Sequence, residues 1–323
     1  MIILGYNSLK HKYYKTHLTV SLDKKYLLIM GGLAILGAVV ALKTLTAVAD
    51  ISMLQNMYRG ENVSDVRTEM GNSGLGGIVK MFACMPLCVF LINSSIFFFT
   101  TYDSKSYRII SYVTIISTIT ALFKVAIYFD RLTLLAMLLV FLYHFFYNTG
   151  LNKIIKIIVV VALFLFASVV TALRMDDISL AEFLGSYFNL GVINLQVVMD
   201  KQQEFNYLLT ETFLSPLSFI CRFFDIPFHS EMACDYVWNP AQSFWGFYFV
   251  DLNYLGLFFL PILGRVIKYL EINKMNNPFC CCFYFIAMYG LFSFCVVPII
   301  RSIEFWLMIL TCLFVTKYIR IFK

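Results

Sequence analysis

Residues 239–270 read NPAQSFWGFYFVDLNYLGLFFLPILGRVIKYL, a polar loop that runs into an aromatic-rich apolar segment and ends in a basic turn. The apolar segment carries one carboxylate, Asp251. A carboxylate inside a membrane helix costs roughly 2.5 to 3.5 kcal/mol on insertion scales, so it usually faces protein or a water-filled cavity. The stretch therefore predicts a membrane helix whose acid lies at the wall of a site.

The composition extends this interpretation to the whole chain. Of its 323 residues, 60% are hydrophobic and only 14% are charged, which is too apolar for a soluble surface. The net charge of +6 comes from lysines and arginines in short loops between apolar runs. Such a pattern indicates membrane topology rather than nucleic-acid binding. We therefore expect a polytopic protein of the lipid bilayer, with no nucleic-acid partner.

Apolar runs long enough to cross a membrane, which takes about 20 helical residues, define the fold class. They predict an all-α membrane bundle of about eight transmembrane helices, a single domain over residues 26–323 that follows a basic cytoplasmic lead-in at 1–25. The predicted spans are 26–48, 77–100, 107–128, 132–148, 154–173, 244–263, 278–300 and 302–320.

The distribution of basic residues predicts the sidedness. An eight-helix path that starts inside groups 1–25, 101–106, 149–153, 264–277 and the C-terminus on one face, and this face carries most of the 25 lysines and arginines. Because positive residues accumulate on the cytoplasmic side, both termini are predicted to be cytoplasmic. The expected location is the bacterial cytoplasmic (inner) membrane.

Two polar segments then lie outside, at 49–76 and 174–243. Loops of this length are usually functional or disordered, and the larger one is too aromatic for disorder. It holds Cys221 and Cys234, and whether these thiols pair is left open. Cys280, Cys281 and Cys282 lie inside an apolar run and are expected to behave as small hydrophobic residues.

The predicted outer face favours arginine over lysine, which suits phosphate recognition because the guanidinium grips phosphate oxygens through two parallel hydrogen bonds. Arg131 and Arg301 each occupy a tight predicted turn, and Arg222 lies in the large loop. The alternative is that these arginines reach lipid head groups or pair with neighbouring acids, Asp130 for Arg131 and Glu304 for Arg301.

His229 is the candidate general base, since a neutral imidazole can accept a proton from a sugar hydroxyl. Glu231 and Asp235 could orient that ring or act in its place, and an ordinary loop histidine is the alternative. Asp251 and Asn239 are supporting candidates. No metal-binding or nucleotide-binding motif occurs, so neither a metal nor a cofactor is expected.

Three further polar residues lie within predicted helices. Lys43 and Lys124 are expected to face the bundle rather than to act, and His144 is expected to be a hydrogen-bonded core residue.

The chain resembles the Wzy-type oligosaccharide repeat-unit polymerases of O-antigen and capsule synthesis. The resemblance is one of layout across residues 100–306. Its matching segments are YFDRLTLLAMLLVFLY (128–143), SYFNLG (186–191), LLTETFLSPLSFI (208–220), NPAQSFWGFYFVDLNYLGLFFLPILG (239–264) and PIIRSIEFW (298–306).

This resemblance implies a metal-independent membrane glycosyltransferase that polymerises undecaprenyl-pyrophosphate-linked oligosaccharide repeat units on the outer face of the membrane. The pyrophosphate-contacting arginines would correspond to Arg131 and to Arg222 or Arg301. The base would be His229, Glu231 or Asp235. A chain-length regulator and a repeat-unit flippase would be its partners.

Other classes stay open. A transporter or flippase of lipid-linked sugars would place charges within helices and break them. A non-catalytic subunit of an envelope assembly would use the large loop for docking. A membrane acyltransferase would need a buried histidine, for which His144 is a poor fit.

Overall fold

The computed structural model describes residues 18–46, 79, 81–128, 130–148, 154, 157–158, 161, 253–293, 302–318 and 320–322. The chain divides into two compact units, Met1–Val140 with Pro261–Tyr289 and Ile303–Lys323, and Phe141–Leu260 with Gly290–Ser302. The described residues are mostly helical, as predicted. The predicted outer loops 49–76 and 174–243 lie outside them, so the eight spans and the large loop stay predictions.

The described residues form helices joined by short strands and 3-10 turns. In chain order, these are β1 (Leu18–Ser21), α1 (Lys24–Thr46), a 3-10 turn (Phe82–Cys84), α2 (Met85–Phe99), β2 (Thr100–Tyr102), α3 (Ser104–Tyr128), α4 (Arg131–Asn148), a 3-10 turn (Asn253–Phe258), α5 (Phe259–Asn273), α6 (Pro278–Ser293), α7 (Ile303–Val315), a 3-10 turn (Thr316–Tyr318) and β3 (Arg320–Phe322).

Among the described residues, three helical segments are long and apolar enough to cross a membrane. They are Lys24–Thr46, Phe82–Phe99 and Ser104–Tyr128. Leu132–Phe146 and Pro278–Leu291 are shorter apolar helices. Helices are therefore described at six of the predicted spans, 26–48, 77–100, 107–128, 132–148, 278–300 and 302–320, while the prediction that all eight spans cross the membrane stays a prediction.

Helix α2 is the centre of the first unit. Its sequence, MPLCVFLINSSIFFF, is apolar on all sides, and nearly every residue in it is buried. A helix that is hydrophobic all round lies in a protein core or in lipid. Here α1, α3, α6 and α7 contact it and bury it in the protein.

Helices α1 and α3 bury one side against α2 and expose the other. The exposed sides carry large apolar residues such as Ile35 and Val39 on α1 and Ile115 and Ile119 on α3. Continuous apolar surface of this kind is unfavourable in water but matches a hydrocarbon environment. The two helices therefore have the surface expected of membrane spans.

The buried polar residues of α2 find partners within the first unit. The Asn93 amide donates to the carbonyl oxygen of Ile110 at 3.0 Å and to the Thr114 hydroxyl at 2.5 Å, while its own oxygen accepts from the Tyr26 hydroxyl at 3.2 Å. An unsatisfied amide would be costly in an apolar interior. Asn93 therefore joins α1, α2 and α3 through one side chain.

Helix α1 approaches the start of α2 at Gly37. A Cβ atom at this position would overlap Cδ of Pro86 and lie 2.6 Å from the backbone oxygen of Phe82. Both approaches are closer than any ordinary contact, so only glycine allows the two segments to pack this closely.

Three short strands form a sheet at one end of the first unit, which the prediction of an all-helical chain did not include. The order is β2-β1-β3, with β1 parallel to β2 and antiparallel to β3. The Leu18 amide also donates to the carbonyl oxygen of Met275, in the connection after α5, at 2.9 Å. We call this region, formed by the three strands and residues 274–277, the strand end.

The strand end brings together segments that the predicted path groups on one face: the start of α1, the α2–α3 connection, the α5–α6 connection and the C-terminus. Which side of the membrane this end faces stays a prediction.

The basic turn predicted at 264–277 is wrong for most of its length. Helix α5 continues through Arg265 and Lys268 to Asn273, and the connection to α6 is short. The helix is strongly amphipathic and buries Gly264, Leu270 and Ile272. Leu263, Ile267 and Leu270 continue the apolar pattern at helical spacing past Arg265 and Lys268, so the helix continues although these charges suggested a loop.

The described part of the second unit includes the later residues of α4. Phe141 and Phe145 stack one turn apart on that helix, with ring centroids 6.3 Å apart, and Phe145 meets Phe146 edge to face.

Candidate functional site

The connection between α3 and α4 is very tight. Helix α3 ends at Tyr128 and α4 begins at Arg131, which leaves only residues 129 and 130 between them. The connection is as tight as predicted, but Arg131, which was predicted to occupy it, follows it, and the external location of the turn stays a prediction. Its backbone is held as the first residue of a helix.

Asp130 caps the start of α4. Its Oδ1 accepts a hydrogen bond from the Thr133 amide at 3.1 Å, and its Oδ2 accepts from the Thr133 hydroxyl at 2.6 Å. The Asp130 carbonyl oxygen accepts the first helical bond, from the Leu134 amide at 3.3 Å. Aspartate satisfies the amide groups that a helix start leaves without partners, and its charge favours the positive end of the helix dipole.

Lys124, in the last turns of α3, completes the arrangement. Its Nζ lies 2.8 Å from Oδ2 of Asp130 and donates to the Thr133 hydroxyl at 3.3 Å. The side chains of Lys124 and Asp130 are only 13% and 22% exposed, so water screens their attraction poorly. We call Lys124, Asp130 and Thr133 the turn cluster.

The turn cluster keeps Asp130 ionised. Burial by itself would raise the pKa of this carboxyl, but the nearby Lys124 ammonium and the hydrogen bonds from Lys124 and Thr133 outweigh it, so the pKa lies below its ordinary value. A carboxylate with a lowered pKa and three donors is a poor proton acceptor at neutral pH. Asp130 is therefore suited to holding the turn in place rather than to general-base chemistry.

Neighbouring contacts tie the turn to other helices. The Tyr128 hydroxyl, at the end of α3, forms a hydrogen bond with the hydroxyl of Thr44 near the end of α1. Glu304, in the first turn of α7, is close enough for its charge to act on Lys124, and its backbone oxygen lies 4.0 Å from Sγ of Cys84. The starts of α4 and α7 therefore belong to the same end of the first unit.

Most of the predicted site residues lie outside the described residues. These are His229, Glu231, Asp235, Arg222, Arg301, Asn239 and Asp251. Only Arg131 has a described backbone. The structure places the backbone of Arg131 at the start of α4, and the roles of all the predicted site residues, Arg131 included, stay predictions.

Whether Asp130 neutralises Arg131 stays a prediction, because the side chain of Arg131 lies outside the described part of the structure. The Asp130 carboxylate already has a counter-ion in Lys124 and a helix to cap. Asp130 therefore has a structural role besides any pairing with Arg131.

The two lysines expected to face the bundle differ. Lys124 does face the protein interior, as predicted. Lys43 is exposed, so the prediction is wrong for this residue. Lys43 lies in the last turn of α1, where a long side chain can extend past the helix end toward polar surroundings. His144 is half-buried in α4.

Sequence reasoning did not find the turn cluster, although part of its signal was present. Asp130 stands just before the apolar run that begins at Leu132, and an aspartate in this place is typical of a helix start. Lys124 lies six positions before Asp130, a spacing that has no meaning within one helix. Only the reversal of the chain at the turn brings the ammonium to the carboxylate.

A second buried cation lies at the strand end. Nζ of Lys274 is 4.6 Å from the ring centre of Phe99 and 4.2 Å from that of Tyr284. Burial lowers the pKa of this lysine, and the charge of Glu271 opposes that effect. Contacts with two aromatic faces stabilise the cation and fasten residues 274–277 onto α2 and α6.

The described residues contain no group of three or more histidine, cysteine or acidic side chains arranged to hold a metal ion. The six described cysteines are free and buried, and Cys280, Cys281 and Cys282 pack as small hydrophobic residues, as predicted. Cys221 and Cys234 lie outside the described residues.

No family model, curated protein or solved structure matches this chain.

Proposed function

We propose that this chain is a metal-independent membrane glycosyltransferase that polymerises lipid-linked oligosaccharide repeat units into surface polysaccharide. One observation carries the proposal: a charged cluster holds a two-residue turn and sets Arg131 at the first position of α4. An arginine fixed at a helix start combines a permanent positive charge with the positive end of the helix dipole. That combination suits an anionic leaving group such as a pyrophosphate.

The reaction requires two kinds of group. A hydroxyl oxygen of the acceptor sugar attacks the anomeric carbon of the donor glycan, and the bond from that carbon to the pyrophosphate oxygen breaks. The electron pair leaves with the undecaprenyl pyrophosphate, whose growing negative charge Arg131, with Arg222 or Arg301, would stabilise. The hydroxyl proton passes to a base, for which His229, Glu231 and Asp235 are the candidates.

The proposed setting is the bacterial cytoplasmic membrane, with both termini inside and the turn cluster at the outer surface. The strand end would then face the cytoplasm. This orientation places the basic segments 1–25 and 264–277 inside, which the positive-inside rule favours. The substrate would be an undecaprenyl-pyrophosphate-linked oligosaccharide, and a chain-length regulator and a repeat-unit flippase would act with the enzyme.

Replacing Arg131 tests the proposal. In cells that lack the chromosomal copy, Arg131→Ala should lower the amount of long-chain polysaccharide by about 100-fold or more, because removing one group that stabilises transition-state charge has an effect of that size. The ladder of glycan lengths on a gel is the measurement, with single-repeat glycolipid and protein level recorded alongside. The ladder should collapse to the single repeat while the protein level stays unchanged.

Arg108→Ala is the matched control, since Arg108 is an exposed arginine on α3 near the strand end. It should leave the ladder intact. A normal ladder in Arg131→Ala would remove Arg131 from the site. His229→Ala tests the base, and full activity in that variant would transfer the assignment to Glu231 or Asp235.

A flippase of lipid-linked sugars is the second candidate, favoured by one observation, the charged Lys124 within a candidate membrane span. Against it, this charge is paired with Asp130. The two functions differ in what accumulates when the protein is inactive. Repeat units exposed on the outer surface support the polymerase, whereas repeat units retained on the cytoplasmic face support the flippase.

A further inference from the structure

The pair formed by Lys124 and Asp130 connects the two helices on either side of the turn. Lys124 belongs to the end of α3, Asp130 precedes α4, and Thr133 lies in the first turn of α4. The Lys124 ammonium contacts both the carboxylate of Asp130 and the hydroxyl of Thr133, at 2.8 and 3.3 Å. One side chain from α3 therefore reaches across the connection and holds the start of α4.

The pair is more than the cap of a helix. An N-cap needs only an acceptor for the Thr133 amide, and a neutral asparagine provides one as well as an aspartate does. Most asparagine and aspartate caps lie at exposed helix ends, as Asp103 does at the start of α3. At the turn, the structure adds a largely buried ammonium to the cap, which is a more costly arrangement because both charges leave water.

The contacts around Lys124 and Asp130 make any change in the pair act mainly on the residue that follows it, Arg131. The end of α3 is held to α1 through Tyr128 and Thr44, so Lys124 projects from a fixed helix. Arg131 follows Asp130 directly and begins α4. Any loosening of the Asp130 carboxylate therefore acts first on the backbone of Arg131.

We propose that Lys124 and Asp130 are positioning residues that form a charged latch, which fixes the first turn of α4 and thereby the direction in which Arg131 is presented to substrate. The part of this inference that concerns substrate rests on the proposed polymerase function. The latch itself is a property of the turn that can be measured without any substrate. A group held rigidly before the substrate arrives stabilises a transition state more effectively than one that must be ordered during the reaction.

The decisive variant is the neutral pair, Lys124→Met with Asp130→Asn. Each single replacement leaves one buried charge without its partner, so reduced activity could simply follow from poor folding. The double variant leaves no unpaired charge, and its asparagine still caps α4. Protein level and thermal unfolding in detergent should therefore return close to wild type, whereas the charged link remains absent.

Hydrogen–deuterium exchange of the purified protein measures the latch directly. Peptides that cover residues 131–136 contain the amides of Thr133 and Leu134, which bond to Asp130. In the double variant these amides should exchange about tenfold faster or more, since local opening no longer has to break the ion pair. Peptides from α2, far from the turn, should exchange at the wild-type rate. Unchanged exchange at 131–136 would overturn the latch.

Activity then connects the latch to Arg131. The double variant should yield a ladder at least about tenfold poorer in long chains than the wild type, with normal protein level. Lys124→Arg, which retains the positive charge, should restore most of the ladder, an effect that packing alone does not explain. A wild-type ladder in the double variant, with Arg131→Ala inactive, would overturn the positioning role while leaving the polymerase intact. A wild-type ladder in Arg131→Ala, with faster exchange in the double variant, would instead remove Arg131 from the proposed site, and with it the part of this inference that concerns substrate, and leave the latch standing.

Discussion

The two ends of helix α3 are built in different ways. At the strand end, three strands pair through their backbones, and Asp103, an exposed residue, caps the start of the helix through the Ser106 amide at 2.9 Å. At the other end, a largely buried aspartate pairs with a lysine and caps the next helix. Helix α3 has 25 residues, so the two ends are separated by roughly 37 Å.

The two ends differ in how far apart in the sequence their contacting residues lie. Backbone pairing at the strand end joins β1 to segments about 80 and about 300 positions away. Thr19 and Thr101, for example, pair in β1 and β2, and their hydroxyl groups are also 3.0 Å apart. The turn cluster joins residues within ten positions of each other and depends on side-chain charge. Changes at the strand end should therefore affect stability in general, whereas changes at the turn should act on one local geometry and on function.

The largest expected effect is from Val20→Pro. Val20 lies in the central strand of the sheet, pairs with Tyr102 and Ile321, and is 2% exposed. Proline cannot donate to either neighbouring strand, so the sheet should lose ladder hydrogen bonds and the protein about 3 kcal/mol of stability. Thermal unfolding in detergent is the measurement, and the polysaccharide ladder should decline only in proportion to the folded protein.

Thr19→Val is the matched control for Val20→Pro. It keeps the strand and removes one exposed hydroxyl contact, so it should unfold within about 0.5 kcal/mol of the wild type. If Val20→Pro were as stable as this control, the strand end would not stabilise the bundle.

The next effect in size is the coupling within the turn cluster. Lys124→Met and Asp130→Asn should each cost about 2 kcal/mol, less than a fully buried pair because both side chains retain some exposure. The double variant leaves no unpaired charge and should unfold within about 1 kcal/mol of the wild type, which corresponds to a coupling energy of about 3 kcal/mol. Unfolding measurements on the wild type, the two single variants and the double variant give this coupling energy directly.

If the stability losses of the two single variants simply added up in the double variant, the lysine and the aspartate would act independently. Thr133→Val separates the cap from the charge pair, because it removes the hydroxyl that contacts both residues and keeps the amide that Asp130 caps. Thr133→Val should lose less stability than either Lys124→Met or Asp130→Asn.

The smallest effect is expected from Asn277→Ala at the strand end. The Asn277 Oδ1 accepts from the amides of Phe279 at 2.9 Å and Cys280 at 3.2 Å, and Pro278 follows it as the first residue of α6. Losing this N-cap should cost about 1 kcal/mol and leave the exchange rate at residues 131–136 unchanged. Asn277→Asp keeps the cap and should match the wild type. Equal losses in the two variants would assign the effect to something other than capping.

Part of the site was open to prediction from the sequence. The two-residue connection before Arg131 follows from two long apolar runs with almost no polar sequence between them, and the structure has that connection at 129–130. An aspartate just before the apolar run that begins at Leu132 is also typical of a helix start. The partner of Asp130 could not be predicted, because Lys124 reaches it only once the chain has turned back.

At Arg265 and Lys268, by contrast, the prediction from the sequence was wrong. Two basic residues after an apolar run looked like the end of a helix, yet α5 continues to Asn273, with apolar residues at helical spacing at Leu263, Ile267 and the buried Leu270. Charge alone does not end a helix when apolar residues continue at helical spacing.

Apolar runs such as 26–48, 77–100 and 107–128 by themselves determined that this chain has membrane-type helices, because a segment without polar groups can satisfy its backbone in a hydrocarbon layer only as a helix. Tertiary structure alone decided that Leu18–Ser21 pairs with Thr100–Tyr102 and Arg320–Phe322, and that Lys124 neutralises Asp130. Strands of three or four residues carry too little pattern to indicate a partner, and an ion pair across a turn depends on where two helices cross. Both are settled by distances in space rather than by spacing along the chain.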